Sequence, residues 1–399
     1  MDMRKDYYAD SMDLHRKVRG KLSTVSKVPL ATKDDLSIAY TPGVAEPCRE
    51  IARNPAAAFD LTIRANTIAV VSDGSAVLGL GNIGGLAGLP VMEGKCLLFK
   101  EFGGINAFPI CLKTQDPEKI ADIVEEISVN FGGINLEDIA SPNCFEVERI
   151  LKERLDIPVF HDDQHGTAIV VMAALINACK VTGKKMKDLN VAFSGAGAAG
   201  LAITRFLMGH GRKPDEYIVN DIILCDSHGV VSRSRKDLNW AKAEIAKITN
   251  KKNKTGMLKD AMKGADVFIG VSVKGTVSKD MVADMNKNAV VLAMANPEPE
   301  IWPDDALEAG AKIVGTGRSD LPNQINNVLA FPGVLRGALD ARATQINEEM
   351  KLAAALAIAK HLKSPTADQI VPSALDRSVG LAVAKAVAEA AKKTGVVRK

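Results

Sequence analysis

Two segments of the chain decide its predicted fold: Gly133-Ile134-Asn135-Leu136-Glu137-Asp138 and Ile157-Pro158-Val159-Phe160-His161-Asp162-Asp163. Each is an apolar run, expected to form a short strand, that ends in two adjacent carboxylates. The amphipathic stretch between them, residues 145–155, predicts a helix. Strand, helix and strand form a crossover that makes the two strands parallel. Both acidic pairs are therefore expected at the carboxyl edge of one sheet, where open α/β sheets bind ligands.

The four acidic side chains predict a metal site. Carboxylates brought together at one edge repel one another unless a cation lies among them. Oxygen ligands without a neighbouring Cys–His set favour a hard ion, Mg²⁺ or Mn²⁺. The alternative is that both pairs are solvated loop acids, as most acidic pairs are. His161 and His165 flank the second pair but have no partner at metal-ligand spacing, so we expect them outside the ligand set.

A second α/β unit is predicted to begin at Leu189. Its first strand, residues 190–194, leads into Gly195-Ala196-Gly197-Ala198-Ala199-Gly200; an apolar helix follows, and the next strand ends in Asp226. This context indicates a dinucleotide site, in which glycines let the backbone approach a pyrophosphate and the helix N-terminus supplies amide donors. The alternative is a purely structural turn. A second glycine cluster, residues 79–85, lacks a following acid-terminated strand and is interpreted as a structural turn.

Composition is typical of a globular protein with two domains. The 399 residues exceed the size at which one core keeps growing, and 47% of them are hydrophobic. Lys+Arg 51 against Asp+Glu 48 gives a net charge of +3, too balanced for a nucleic-acid or membrane surface. The charged N-terminus shows no secretory signal, and the longest apolar run, residues 168–179, is too short to span a bilayer. Six scattered cysteines without a CxxC pair favour a cytoplasmic protein.

The order of strand-like and helical segments predicts an α/β fold. We expect a metal-binding α/β domain over residues 1–182 and a Rossmann-type, doubly wound dinucleotide-binding domain over 183–335. Residues 336–399 are rich in Ala, Leu and Lys and are expected to be helices that pack back on the first domain or form a subunit interface. Residues up to about 33 are expected to form an arm with helical pieces.

Two further side chains are ambiguous from the residues alone. Lys95 enters an apolar run, where a lysine is usually a snorkelling surface residue. Buried beside a cation, however, such a lysine has a lowered pKa and can act as a base. Tyr40 precedes a Pro-Gly turn, and its neighbours by themselves favour a packing role.

Together these motifs resemble the malic enzyme family in its smaller microbial form, over nearly the whole chain. The resemblance is carried by Tyr40-Thr41-Pro42-Gly43-Val44, Glu93-Gly94-Lys95, Ala295-Asn296-Pro297 and residues 78–84, 135–139, 160–168, 195–200 and 326–333. It implies an oxidoreductase that oxidises L-malate with NAD⁺ or NADP⁺, releases pyruvate and CO₂ and uses Mg²⁺ or Mn²⁺. Decarboxylation of oxaloacetate is a further implied reaction. The expected assembly is a homodimer or higher homo-oligomer, with a small-molecule substrate and no nucleic-acid or membrane partner.

The resemblance also implies roles at the matching positions. Lys95 takes the hydroxyl proton as hydride leaves, and Tyr40 protonates the enolate after decarboxylation. Asp162 supports proton transfer beside the metal. The implied metal ligands are Glu137, Asp138 and Asp163.

Substrate and cofactor contacts follow in the same way. Lys95 and Asn327 contact substrate, with the adjacent Asn326 as the alternative. Asn296 lies against the nicotinamide end of the cofactor. The remaining cofactor contacts are Gly195, Ala196, Gly197, Ala198, Ala199, Gly200 and Asp226.

Two specificity questions stay open. Larger animal-type malic enzymes carry an arginine before the first glycine cluster that pairs with a substrate carboxylate; Ser75-Ala76 occupies that segment here, so another group must hold the carboxylate. Asp226 favours NAD⁺ because it would accept ribose hydroxyl hydrogens and repel a 2′-phosphate. The nearby cations favour NADP⁺ instead, and these are Arg233, Arg235 and Lys236.

Three other functions are weighed against this reading. The first two are enzymes on the same scaffold, one that retains NAD and yields lactate and one that mainly decarboxylates oxaloacetate. The third is a non-catalytic NAD-binding protein. A dead copy is disfavoured because all five implied side chains are present: Tyr40, Lys95, Glu137, Asp138 and Asp163.

Overall fold

The computed structural model describes residues 7–77 and 79–398, so the first six residues of the expected arm, Leu78 and Lys399 lie outside it. The arm begins with three helices, α1 (Tyr7–Val18), α2 (Lys33–Ala39) and α3 (Ala45–Arg53), and none of them has a buried residue. The short helix α4 (Ala58–Leu61) then leads into the folded body through Phe59, its one buried residue. The arm predicted up to about residue 33 contains α1, and this exposed segment continues beyond the predicted limit through α2 and α3.

The first sheet has four parallel strands: β1 (Thr67–Ser72), β2 (Asn106–Cys111), β3 (Gly133–Leu136) and β4 (Val159–His161). They lie in the order β2-β1-β3-β4. Leu136 pairs with His161, so the chain leaves β3 and β4 at the same edge. The predicted parallel crossover is confirmed, and it brings both acidic pairs to that edge.

Four helices surround this sheet: α5 (Gly84–Gly103), α6 (Pro117–Ile127), α7 (Asn143–Arg154) and α8 (Asp162–Thr182). The sequence predicts Asp116 as the N-cap of a helix that begins at Pro117, and its side chain accepts the amides of Glu118 and Lys119 at the start of α6. The sequence predicts a helix from about Gly166 to Val181, and α8 begins four residues earlier, at Asp162. The second acidic pair therefore forms a first helical turn, where the helix dipole stabilises negative charge.

The early start of α8 also corrects the expectation that the apolar segment is too short for a membrane. By length and composition α8 could cross one, but 72% of its apolar stretch is buried inside the protein. It is therefore the central core helix of this fold, covered by neighbouring elements. Gly183 ends it in a left-handed conformation, with a φ of 72°.

The second sheet has six strands: β5 (Asn190–Ser194), β6 (Asp221–Asp226), β7 (Gly229–Val230), β8 (Val267–Gly270), β9 (Val290–Ala293) and β10 (Ile313–Thr316). Their order is β10-β9-β8-β5-β6-β7, parallel except for the β6–β7 hairpin. The connecting helices are α9 (Ala198–Leu207), α10 (Trp240–Ile248), α11 (Leu258–Met262), α12 (Lys279–Ala283) and α13 (Pro303–Glu308). The expected Rossmann-type fold is confirmed, and β7 and β10 extend it beyond the predicted strands.

The last helices are α14 (Phe331–Asp340), α15 (Glu348–His361) and α16 (Arg377–Thr394). The pair α14 and α16 packs closely and also contacts α5, whereas α15 contacts α16 and α8. Glycine makes the close approach possible, since a Cβ on Gly337 would lie 2.3 Å from the carbonyl oxygen of Ala384. One continuous apolar core joins the first sheet to a face of the second. The domain limits at 182 and 335 stay predictions.

Candidate active site

Lys95 and the four predicted acids meet in one cluster at the carboxyl edge of the first sheet, and all of them except Asp163 are buried. Lys95 comes from α5, Glu137 and Asp138 follow β3, and Asp162 and Asp163 open α8. The Lys95 Nζ lies 2.6 Å from Asp162 Oδ2 and 2.8 Å from Glu137 Oε1. The interpretation of Lys95 as an exposed, snorkelling side chain is wrong, because it is buried and paired twice.

Three of the acids form a set suited to a metal ion. Glu137, Asp138 and Asp163 each offer a carboxylate oxygen, and these atoms lie within 4.8 Å of one another. Asp138 has a φ of 52°, so the chain bends in the left-handed region between the two adjacent acids. The Asp138 amide donates to Asp163 Oδ2 at 2.8 Å, and Asn135 Nδ2 donates to Glu137 Oε2 at 2.8 Å.

Burial and mutual repulsion raise the pKa of every carboxyl group in the cluster. Burial is the larger cause, and it raises the pKa of Glu137 to about 7, of Asp138 to about 8, of Asp162 to about 7 and of Asp163 to about 6. Closely spaced acids with raised pKa values are stabilised by a bound cation. The donor set therefore fits a hard divalent ion such as Mg²⁺ or Mn²⁺.

At Lys95, nearby charges influence the pKa more than burial does. Burial lowers its pKa, but the charges of Asp162, Glu137 and Asp163 outweigh burial and raise the pKa above its ordinary value. Lys95 thus serves as the counter-ion of these carboxylates, and the lowering of its pKa beside a cation stays a prediction. The ring of Phe331 lies 4.2 Å from its Nζ and closes another side.

Asp162 connects Lys95 to a predicted substrate contact. Its Oδ2 accepts from both Lys95 and Asn327 Nδ2. Its Oδ1 is buried and has no hydrogen-bond partner among residues 7–77 and 79–398, and a Cβ on Gly166 would lie 1.8 Å from that atom. Of the two adjacent asparagines, Asn327 reaches the cluster, whereas Asn326 Oδ1 accepts the amide of Val328 at 2.9 Å.

Tyr40 lies outside this cluster. It follows the last residue of α2 and is 67% exposed. Within the described residues its hydroxyl makes no hydrogen bond to Lys95 or Asp162. Its role as a proton donor stays a prediction.

The glycine loop has the geometry that a pyrophosphate requires. Gly195 has a φ of 111°, and a Cβ there would lie 2.7 Å from the carbonyl oxygen of Val271. A Cβ on Gly200 would lie 1.8 Å from the carbonyl oxygen of Gly195, whereas one on Gly197 would meet no atom within 4 Å in the part of the chain that the structure describes. The outer glycines therefore form the turn, and the middle one leaves open space at the start of α9.

The other two predicted cofactor residues lie at the same edge. Asp226 ends β6 and accepts hydrogen bonds from Arg235 and Lys242. Asn296 follows β9, and its Nδ2 donates to the carbonyl oxygen of Met294 at 3.4 Å. The guanidinium of Arg233 instead donates to the carbonyl oxygens of the loop after α10.

Glu300 is a site residue that the sequence reasoning missed. It is fully buried and accepts from the amides of Ser272 and Ala295 at 2.8 and 3.0 Å. It thereby ties the loop after β8 to the loop after β9, next to Asn296. No sequence signal distinguishes it, since it is one of several acids in a proline-rich segment.

A second buried charged network supports α8 from behind. His165 Nε2 lies 2.6 Å from Glu148 Oε1 on α7, and His165 Nδ1 lies 3.2 Å from Lys351 Nζ on α15. His165 is thus paired with Glu148 and Lys351, and its place outside the metal-ligand set stays a prediction. His161 is buried, and neither of its ring nitrogens has a hydrogen-bond partner in the described part of the chain.

The segment Ser75-Ala76 braces the acidic edge. The amide of Ala76 donates to the carbonyl oxygen of Asp138 at 2.9 Å, and Ser75 Oγ accepts the amide of Ala140 at 2.8 Å. Ser75 Oγ also donates to Asp73 Oδ1 at 2.6 Å. This segment supplies no cation, so the group that holds the second substrate carboxylate stays open.

Comparison with known proteins points to one family. Residues 19–152 match the model for the malic enzyme N-terminal domain, and residues 164–392 match that for the malic enzyme NAD binding domain. The bifunctional malic/malolactic enzyme of Bacillus subtilis (strain 168) is 55% identical over 98% of this chain and 94% of its own length. The NAD-dependent malic enzyme of Geobacillus stearothermophilus is 54% identical over 96% of this chain and 79% of its own. The crystal structure of malic enzyme from Pyrococcus horikoshii Ot3 is similar with a TM-score of 0.93, 49% identity and coverage of 98% and 92%.

Proposed function

This chain belongs to the malic enzyme family, and on that premise we propose that it converts L-malate to pyruvate and CO₂ with NAD⁺ or NADP⁺. The observation that supports this most strongly is the buried Lys95–Asp162 pair beside three convergent carboxylates. A 2-hydroxy acid needs a proton acceptor at its hydroxyl and a cation against its oxygens, and this cluster offers both.

We assign Glu137, Asp138 and Asp163 as the ligands of Mg²⁺ or Mn²⁺. The support is the spacing of their oxygens and the burial that raises their pKa values. When bound, the ion supplies Lewis-acid stabilisation of the negative charge that develops on the substrate oxygen. Offsetting the carboxylate charges also weakens the main influence that raises the pKa of Lys95, which leaves burial as the opposing one.

Proton transfer is assigned to the chain's own side chains. Lys95 accepts the proton of the malate hydroxyl as the hydride leaves the carbon that bears that hydroxyl. NAD⁺ or NADP⁺, when bound at the glycine loop, would supply the hydride acceptor. Its hydrogen bond of 2.6 Å to Asp162 lets that carboxylate share the proton. Asn327, bound to the same Asp162 oxygen, fixes the orientation of the carboxylate and lies where substrate must bind.

We propose a homodimer in which the arm of each protomer completes the other protomer's site. None of the first three arm helices has a fully buried residue, and they expose many large apolar side chains. These include Tyr7, Tyr8, Met12, Leu14, Leu36, Ile38 and Tyr40. An apolar surface of this extent is typical of a subunit interface. If Tyr40 protonates the enolate, then Tyr40 of the partner subunit serves each site.

Mixing two inactive variants tests this arrangement. Tyr40→Phe and Lys95→Ala chains are unfolded together and refolded as mixed dimers. If Tyr40 acts across the interface, one site of each mixed dimer holds both native residues, so random mixing restores up to about a quarter of wild-type turnover. If Tyr40 acts in its own chain, or has no catalytic role, mixing restores nothing above the two separate variants.

A second activity, conversion of malate to lactate, is favoured by the Bacillus subtilis relative, whose name includes malolactic enzyme. Retained NADH would reduce pyruvate to lactate and regenerate NAD⁺. Product analysis with substoichiometric NAD⁺ separates the two activities: pyruvate limited by the cofactor supports the malic reaction alone, and lactate in excess of the cofactor supports both. Adding oxaloacetate without cofactor tests its decarboxylation in the same assay.

We propose a cytoplasmic location. All six cysteines are free, which suits a reducing compartment. Fractionation of cells that express the full chain tests this assignment, with activity expected in the cytosolic fraction.

A further inference from the structure

A chain of hydrogen bonds runs across the carboxyl edge of the second sheet, and Glu300 lies at its centre. Ser194 Oγ, at the end of β5, donates to Ser272 Oγ at 3.0 Å, and Ser272 Oγ donates to Glu300 Oε1 at 3.1 Å. Glu300 Oε1 also accepts the Ser272 amide at 2.8 Å, and its Oε2 accepts the Ala295 amide at 3.0 Å. One carboxylate thus connects the start of the glycine loop with the loops that follow β8 and β9.

These donors alone compensate the charge of Glu300 in the part of the chain that the structure describes. The side chain is fully buried, and no lysine or arginine forms an ion pair with it there. Gly270 makes room for it, since a Cβ on Gly270 would lie 2.4 Å from Glu300 Cδ. A buried carboxylate that loses a donor is left with an unsatisfied charge, which is costly. Glu300 therefore holds the loops after β8 and β9 at a fixed spacing.

The loop after β9 carries Asn296, the proposed contact of the nicotinamide end. Ala295, whose amide Glu300 accepts, directly precedes it. Backbone confines the Asn296 side chain from another direction, since a Cβ on Gly317 would lie 2.5 Å from its Nδ2. Its own hydrogen bond to the carbonyl oxygen of Met294 is long, at 3.4 Å. The orientation of the Asn296 amide therefore depends on how the backbone around it is held.

We infer that Glu300 is a positioning residue for the nicotinamide end of the dinucleotide and that it acts through Asn296. By tying the backbone before Asn296 to the loop after β8, it sets where the Asn296 amide meets the nicotinamide. The glycine loop has backbone bonds of its own, such as that from the Gly195 amide to the carbonyl oxygen of Cys225 at 2.9 Å. The inference rests on the proposed function, which supplies the dinucleotide.

Titration of NADH and of ADP-ribose into Glu300→Gln tests the inference, because ADP-ribose lacks the nicotinamide. A glutamine amide accepts at only one of its two terminal atoms, so one loop loses its bond. We expect NADH affinity to fall about tenfold, the loss typical of one hydrogen bond to a charged group. ADP-ribose affinity should stay at the wild-type value. Where the wild type prefers NADPH, the matched pair is NADPH and 2′-phospho-ADP-ribose.

The matched control is Glu298→Gln, the same substitution in the same loop. Glu298 is 46% exposed and paired with Lys274, so this variant should bind both ligands as the wild type does. Ser272→Ala removes one donor to Glu300 and keeps both amide bonds. It should show the Glu300→Gln pattern with a smaller loss, and it carries the test if Glu300→Gln does not fold.

A double variant tests whether Glu300 acts through Asn296. Asn296→Ala alone should lower NADH affinity, and adding Glu300→Gln should lower it less than about twofold further, because residues that act as one unit are not additive. Equal losses of NADH and ADP-ribose affinity, unchanged NADH affinity, or additive losses in the double variant would overturn the inference and leave the proposed function intact. Wild type that binds neither NADH nor NADPH would overturn the proposed function, and the inference with it.

Discussion

At the carboxyl edge of the first sheet the chain buries charged side chains, whereas at the carboxyl edge of the second it presents backbone and glycine. Lys95 and Asp162 exemplify the first edge, with a hydrogen bond of 2.6 Å between buried groups. Gly195 and Gly200 exemplify the second, since a Cβ on either would strike backbone. The first edge thus depends on the charged side chains it contains, and the second depends on the absence of a Cβ at its glycines.

This difference decides how each edge responds to change. Buried charges are costly unless they are paired, so removing one partner leaves another charge uncompensated. A glycine turn contributes little binding chemistry through side chains, so it fails when an added atom fills its space. We therefore expect the first edge to lose function when a charged side chain is removed. The second edge should lose function when a side-chain atom is added at a glycine.

Removing the divalent cation should have the largest effect. Chelator-treated protein should lose malate turnover yet still bind NADH, because the carboxylates and the glycine loop lie at different sheet edges. Steady-state rates and NADH titration measure the two properties, and Mn²⁺ should restore turnover. Asp163→Ala should weaken Mn²⁺ binding in the same protein. Full-rate oxidation in the presence of the chelator would contradict the ligand assignment.

Lys95→Ala should slow malate oxidation by the ~10²–10⁴-fold typical of losing a general base. Lys100→Ala is the matched control, since Lys100 lies on the same helix and binds Asn106 at the surface. Malate-dependent NAD(P)H formation under saturating substrate measures both variants. Equal rates for the two variants would remove Lys95 from the mechanism.

Tyr40→Phe should fail at a different step from Lys95→Ala. Loss of the enolate's proton donor should impair conversion of enolpyruvate to pyruvate, while reduction of added oxaloacetate to malate needs hydride but no enolate protonation. We therefore expect oxaloacetate reduction to survive in Tyr40→Phe and to be lost in Lys95→Ala. Equal loss in both variants would make Tyr40 an orienting or packing residue.

The sequence predicts the first edge in part. Because parallel strands end at the same edge of a sheet, strand direction alone predicts that Glu137 and Asp162 lie close together. The pairing of Lys95 with Asp162 joins residues 67 apart and depends on how α5 packs, which no local pattern shows. The sequence predicts the start of α8 four residues too late, because Asp and His are poor helix formers in general. Acids are nevertheless favoured in the first turn of a helix.

At the second edge the glycine turn is predictable and its surroundings are not. The fingerprint between a strand and a helix specifies Gly195 and Gly200, since their role depends on local backbone geometry. Glu300 and Lys242 reach the edge from distant elements, so their place depends on tertiary packing. Asp226 shows this most clearly. The sequence predicts its position at the end of a strand, but it does not predict that its carboxylate accepts hydrogen bonds from Arg235 and Lys242.

Two glycine variants sharpen the contrast at the second edge. Gly200→Ala places a Cβ 1.8 Å from the carbonyl oxygen of Gly195, so we expect a loss of roughly 1–3 kcal/mol in unfolding free energy, as in overpacked sites. The added Cβ of Gly197→Ala meets no atom of the described residues within 4 Å, so stability should be kept while NADH binding weakens. Chemical denaturation and NADH titration measure the two effects. Equal stability of both variants would contradict the assigned roles.

The smallest predicted effect is the pH dependence of stability at the first edge without its cation. The folded-state pKa values of Glu137 and Asp138 are about 7 and about 8, above their ordinary values of 4.5 and 3.8. The folded chain therefore holds protons that the unfolded chain releases. The stability that these two groups contribute is complete below their ordinary pKa values and is lost as the pH rises through 7 and 8.

Other groups limit the window in which this loss is visible. Burial lowers the pKa of His161 and His165 to about 4, so their contribution changes in the opposite direction below pH 6.5. Lys95, with its raised pKa, contributes no change until the pH exceeds its ordinary value of 10.5. Thermal melts of chelated protein should therefore show a falling midpoint between about pH 6.5 and 8.5. Asp138→Asn should flatten the dependence of the melting midpoint on pH, and Mg²⁺ should reverse it in the wild type. Both changes reduce the repulsion among the clustered carboxylates. An unchanged pH dependence in the variant would show that this cluster does not cause it.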